Sequence, residues 1–179
     1  MNKWTKGIII VAGLLLFGYL SGLFRPEPKE YERGKRYEKF LGQPAPDAVT
    51  TTLDGRRWAL RDQKGKVVLI DFWATWCGPC VASIPKMKKI FERYRDNPDF
   101  LMVGVSLDDD AADVRKFVTD KQMPWLQLFE AGAGRNNRFA GTFRINAIPS
   151  VWLIDKQGRV AAVDLESEEK IIRKIDALL

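Results

Sequence analysis

The chain has 179 residues, 46% of them apolar and 29% charged, with 29 basic and 23 acidic side chains giving a net charge of +6. That size and balance suit one globular domain with an appendage and supply enough apolar material for a core. The charges of both signs are interspersed, without the basic element or motif that nucleic-acid binding needs. Two cysteines and no histidine exclude a Cys- or His-built zinc centre, which takes about four ligands.

Residues 1–6 are short and basic, and residues 7–24 carry no charge. Eighteen uncharged residues exceed a usual signal h-region and just suffice to span a bilayer. The region around Ser21 and Gly22 lacks the paired small residues of a cleavage site, so residues 1–24 are read as an uncleaved signal anchor, with a cleaved signal peptide as the alternative. The adjoining linker, residues 25–41, holds more positive charge than the N-terminal flank. The positive-inside rule alone would place the C-terminal domain in the cytoplasm, although long domains can translocate regardless of charge.

A domain is expected over residues 42–179. Residues 43–47, with Pro44 and Pro46, must be extended. Residues 49–52 and 57–60 read as a hairpin turning at Asp54-Gly55. The apolar run 67–70 opens a buried strand through Phe72, and a helix is expected from Gly78 to about residue 95. Ile84, Met87, Ile90, Phe91 and Tyr94 mark its apolar face, and Pro85 should kink it.

A second buried strand covers 100–107. Asp108, Asp109 and Asp110 follow it, and caps for the helix 111–121 are a better reading of them than a metal cluster. A short strand (126–129), a short helix (136–143) and the strands 150–154 and 159–165 come next. The last helix starts near Ser167-Glu168-Glu169, with Ile171, Ile172, Ile175 and Leu178 as its buried stripe. The Gly132-Ala133-Gly134 loop is too short for a dinucleotide fingerprint, and the chain has no internal repeats.

The chemistry is expected in Trp76-Cys77-Gly78-Pro79-Cys80. At a helix start this spacing should expose Cys77 and bury Cys80 one turn below. Unpaired amide N–H groups and the helix dipole then favour a thiolate at Cys77. Pro79 suits the first turn, where its missing N–H costs little. Together these supply the nucleophile and the resolving thiol of a dithiol–disulfide exchanger. A purely structural disulfide is the alternative, but a loop this short constrains the unfolded chain little. Asp71, an acid inside an apolar strand, is the candidate proton acceptor for Cys80, the alternative being a carboxylate that only bonds backbone. Trp73 is expected in the core and Trp76 in the substrate groove.

Residues 71–80 resemble the active-site segment of thioredoxins almost residue for residue. The wider chain resembles the membrane-anchored TlpA/ResA-like thiol–disulfide oxidoreductases, through residues 42–46, 65–68, 76–80 and 148–155. The resemblance implies an α/β thioredoxin-like fold, a central mixed sheet flanked by helices, with an N-terminal hairpin extension. It also implies a cis peptide before Pro149 beside the cysteines, and a substrate surface made by Trp76, Gly78, Pro79, Ile148 and Pro149. It places the domain outside the cytoplasm and makes it a reductase needing no cofactor or metal. Its partners would be disulfide-bearing proteins, apocytochrome c among the family's clients, and an upstream, membrane-bound thiol donor. The chain departs from many TlpA-like sequences in carrying Ser83 where they have an acid three residues after the second cysteine. A peroxiredoxin is the competing enzyme class, but its threonine and proline positions hold Ala74 and Ile70. A non-enzymatic adaptor would not need both cysteines at a helix start.

Overall fold

The computed structural model describes residues 36–179. Strands β1 (Val49–Thr52) and β2 (Arg57–Ala59) pair antiparallel, and Gly55 in their turn adopts a φ of 90°, which a side chain would oppose. A 3₁₀ turn, Leu60–Gln63, leads to β3 (Val67–Trp73). Then come α1 (Gly78–Tyr94), β4 (Phe100–Ser106), α2 (Ala111–Asp120) and β5 (Leu126–Phe129). The chain continues through α3 (Arg138–Thr142), β6 (Ser150–Ile154), β7 (Val160–Ala162) and α4 (Glu168–Leu178).

Among the described residues these strands form one mixed sheet in the order β2-β1-β5-β4-β3-β6-β7. β3 is parallel to β4, with Val67 opposite Phe100 and Trp73 opposite Ser106, and antiparallel to β6, with Phe72 opposite Ser150. All seven residues of β3 are buried, as a strand covered on both faces requires. Its side chains alternate between faces. Phe72 meets Phe139 of α3 and Phe143, which caps its C-terminus, while Trp73 meets Phe117 of α2.

On the Phe72 face the aromatic core reaches residues that the sequence reading assigned to the linker. Tyr37 is buried edge-on to Trp152 at 5.2 Å, Phe40 stands 5.3 Å from the same ring, and the Tyr37 hydroxyl donates to Asn146 Oδ1 at 3.1 Å. The packed unit therefore takes in residues 37–41. Large aromatic surfaces outweigh the charges around them in sequence.

The local differences from expectation have local causes. Pro85 does not interrupt α1, whose Cys80, Ile84, Met87, Ile90 and Tyr94 are buried. Leu60 starts a 3₁₀ turn instead of extending β2. β7 stops at Ala162, and Asp164 adopts a φ of 46°, outside the extended region. Ser167 caps α4 by accepting the Lys170 N–H at 3.2 Å, and Ile171 and Ile175 are fully buried. Among the described residues no helix is long and apolar enough to cross a membrane, and the anchor expected over residues 7–24 lies outside them.

A chain beginning at residue 36 should be more stable than one beginning at residue 42 by roughly 3–5 kcal/mol, the usual cost of deleting a large buried aromatic. Urea unfolding of the two proteins measures the difference, and equal midpoints would show that the Tyr37 and Phe40 contacts contribute nothing.

Candidate active site

Buried β3 must leave the sheet at Trp73, and the chain turns through Ala74, Thr75 and Trp76 into α1. Cys77 is the N-cap residue of that helix, and its Sγ accepts the Cys80 N–H at 3.2 Å. The two cysteines are joined in a disulfide with their Cα atoms 5.2 Å apart. The spacing at a helix start predicts an exposed Cys77 above a buried Cys80. Both are buried instead, at 6% and 3% exposure, because the bond ties the Cys77 sulfur to its covered partner. Gly78 and Pro79 are exposed, and Trp76 is 50% exposed. The Cys80 N–H thus points at the Cys77 sulfur at the positive end of the helix, an arrangement that favours negative charge there.

Asp71 is buried, at 4% exposure, and its Oδ1 makes no hydrogen bond. Burial penalises the charged form and lifts its pKa to about 7, while the charge of Lys86 on α1 works in the opposite direction. Lys86 Nζ itself donates to the Glu166 carbonyl at 2.5 Å. Ser83 donates its hydroxyl to the Cys80 carbonyl at 2.8 Å.

The acidic triplet after β4 divides its work. Only Asp110 caps α2, accepting the Ala112 N–H at 2.6 Å. Asp108 is buried and holds the turn before the cysteines. It accepts the Thr75 N–H at 3.1 Å, the Thr75 hydroxyl at 2.7 Å and the Ser106 hydroxyl at 2.8 Å. The Asp109 carbonyl accepts the Gly132 N–H at 3.1 Å. The role of Asp108 differs from the helix cap that its place in the chain predicts. The clue was topological: β3 and β4 are parallel, so Thr75 and Asp108 follow strand ends at the same edge of the sheet. Behind the turn, Trp73 is fixed by its indole N–H donating to Gln127 Oε1 at 3.0 Å. Gly104 makes room for that pair, because a Cβ there would collide with Gln127 Oε1 and lie 2.9 Å from Trp73 Nε1.

The Ile148–Pro149 peptide bond is cis, and both residues are half-buried. Among the described residues, no backbone hydrogen bond of the fold engages Ile148. Ile148 and Trp76 line one pocket of about 250 Å³, and Arg135 lies over the Trp76 ring, 4.7 Å from its centroid. Among the described residues no group of three or more His, Cys, Asp or Glu is placed to hold a metal ion.

A dithiol at the head of the helix leaving the central strand of such a sheet places the chain among the thioredoxin-like thiol–disulfide oxidoreductases. It belongs to the redoxin family, whose model matches residues 40–179. The thiol-disulfide oxidoreductase ResA of Bacillus thuringiensis is 30% identical over 155 residues, covering 86% of this chain and 80% of the relative. The thioredoxin-like protein YneN of Bacillus subtilis is 29% identical over 171 residues, covering 95% and 94%. The solved thioredoxin domain of a thiol-disulfide oxidoreductase from Bacteroides vulgatus superposes with a TM-score of 0.69 at 26% identity, covering 78% of this chain and 98% of that one.

Asp71 makes stability depend on pH in a defined direction. In the fold it keeps its proton at pH values where the unfolded chain has ionised, so its contribution is fully present below the unfolded pKa near 4 and is lost as pH rises through about 7. Urea unfolding of the oxidised protein should show a loss on the order of 2–4 kcal/mol across that window. Asp71→Asn should remove this slope and be the more stable protein at pH 8; an unchanged slope would contradict the assignment.

Proposed function

We propose that the protein is a membrane-tethered reductase of disulfides in extracytoplasmic proteins, with Cys77 as nucleophile, Cys80 as resolving thiol and Asp71 as proton acceptor. The observation that carries this reading is the Cys77–Cys80 pair at the head of α1, directly after the buried strand that holds the Asp71 carboxyl. A resolving thiol buried at 3% exposure needs such an acceptor before it can attack.

In the first step the Cys77 thiolate attacks one sulfur of the substrate disulfide. A bond forms between Cys77 and that sulfur while the substrate bond breaks, and the released sulfur leaves as a thiolate that takes a proton from water. Cys80 then gives its proton to Asp71 and attacks Cys77 Sγ. The Cys77–Cys80 disulfide closes, the second substrate sulfur leaves, and two electrons have passed to the substrate. An upstream membrane-bound thiol donor returns them, and Asp71 releases its proton. Trp76, Gly78, Pro79, Ile148 and Pro149 form the surface along which the substrate lies. The unengaged backbone of Ile148 supports pairing with an extended substrate segment.

The uncharged residues 7–24 support a membrane anchor, and the charged stretch after them supports a spacer holding the domain outside the cytoplasm. Its clients there are secreted or membrane-bound proteins with disulfides, apocytochrome c among them. Protease added to spheroplasts should therefore digest the domain, and protection until lysis would place it on the cytoplasmic side.

Cys80→Ala should accumulate mixed disulfides in cells through Cys77, and a variant lacking both thiols should accumulate none. Asp71→Asn should slow insulin-disulfide turnover near neutral pH by roughly one to three orders of magnitude while changing Cys77 alkylation far less. Normal turnover from pH 6 to 9 would remove Asp71 from the mechanism.

A further inference from the structure

Trp76, the residue before Cys77, lines a pocket of about 250 Å³ whose walls also include Leu107, Ile145 and Ile148, with Arg135 and Asn146 contributing polar groups. It falls below the roughly 300–1,000 Å³ of ordinary small-molecule sites and suits one side chain of a larger partner. Both of its sides are braced by the residues that come after β4. Asp108 holds Thr75, next to Trp76, through the hydroxyl and the N–H. On the other side the Asp109 carbonyl accepts the Gly132 N–H. Gly134, at a φ of 46°, lies so close to the Asp109 carboxylate that a Cβ there would collide with it. Asn146 is held in turn by the Tyr37 hydroxyl.

Arg135 is exposed, and its guanidinium lies over the half-exposed Trp76 ring. Among the described residues it forms no ion pair, although the Asp109 carboxylate is near its neighbour Gly134. Held over the indole face, the guanidinium keeps N–H donors available to a carboxylate. A flat cation, an apolar pocket and an exchangeable disulfide thus share one edge of the sheet.

From this juxtaposition we infer that Arg135 and the Trp76 pocket form a specificity site for substrates that carry an Asp or Glu close to the reacting cysteine and an apolar side chain next to it. The apolar side chain enters the pocket, and the carboxylate meets Arg135. The inference rests on the exchange reaction of Cys77 proposed above and names the class of polypeptide that the reaction selects. An exposed pair of this kind changes rates by only a few fold, which is enough to rank substrates competing for one dithiol.

The test uses the reduced protein and two disulfide-bonded peptides with a Leu beside the cysteine, differing only in an Asp or a Lys at the next position. Wild-type kcat/KM should favour the Asp peptide roughly two- to fivefold, and the preference should shrink with added salt. Arg135→Lys should keep the direction of the preference, Arg135→Gln should bring the ratio close to one, and Arg135→Glu should reverse it. A loss of folding or of general reactivity would lower both rates without reversing their ratio. The inference is overturned if wild type and Arg135→Glu give the same ratio while both peptides are reduced. If wild-type protein reduces neither peptide, the exchange reaction itself has failed, and the specificity site with it.

Discussion

The burial of β3 along its entire length constrains everything else at the site. A strand covered on both faces needs helices on either side and partners on either edge, and it has them in α2 and α3, β4 and β6. The chain can change direction only where the strand reaches the edge of the sheet, and there the cysteines begin α1. The same burial deprives Asp71 of water and raises the pKa of its carboxyl to about 7. The helix start that carries Cys77 and Cys80 and the buried carboxyl of Asp71 are thus two results of one packing arrangement.

The parallel neighbour β4 supplies the second half of the design. Because β3 and β4 run in the same direction, the loops after them meet, and a buried carboxylate from one takes the donors of the other. Asp108 gathers Thr75 and Ser106, and the Ser106 carbonyl accepts from Asn137, whose own carbonyl oxygen caps α3. The turn before Cys77 is therefore anchored to the end of β4 and, through it, to the start of α3. Such anchoring holds the turn in one geometry in advance, which lowers the ordering cost of an encounter there.

Trp76 shows how an exposed aromatic gains a defined orientation. It lacks the burial that fixes Trp73 and Trp152, both of which also have a hydrogen bond to their indole N–H. Its backbone adjoins the anchored Thr75, and its ring carries the Arg135 guanidinium. Its large apolar surface nevertheless stays half exposed next to the disulfide-bonded Cys77.

Much of this was legible in the residues alone. The apolar run of β3, the Cys77–Cys80 spacing at a helix start, the buried stripe Ile84, Met87 and Ile90, the Asp54-Gly55 turn and the Ser167 cap are local patterns, and each is settled by neighbours within a few positions. Asp71 could be singled out for the same reason, as an acid among residues that must be buried. The tertiary structure decided what distant residues do to one another. It brought Tyr37 out of an apparent linker and onto Trp152, turned Asp108 from a helix cap into the anchor of Thr75, and laid Arg135 over Trp76. It also covered Cys77 along with Cys80. Spacing along a chain fixes periodicity and turns, but which side chains meet across 33, 59 or 115 positions depends on strand order and on packing at the sheet edge. Those are set by the whole core at once, so no local window of sequence contains them.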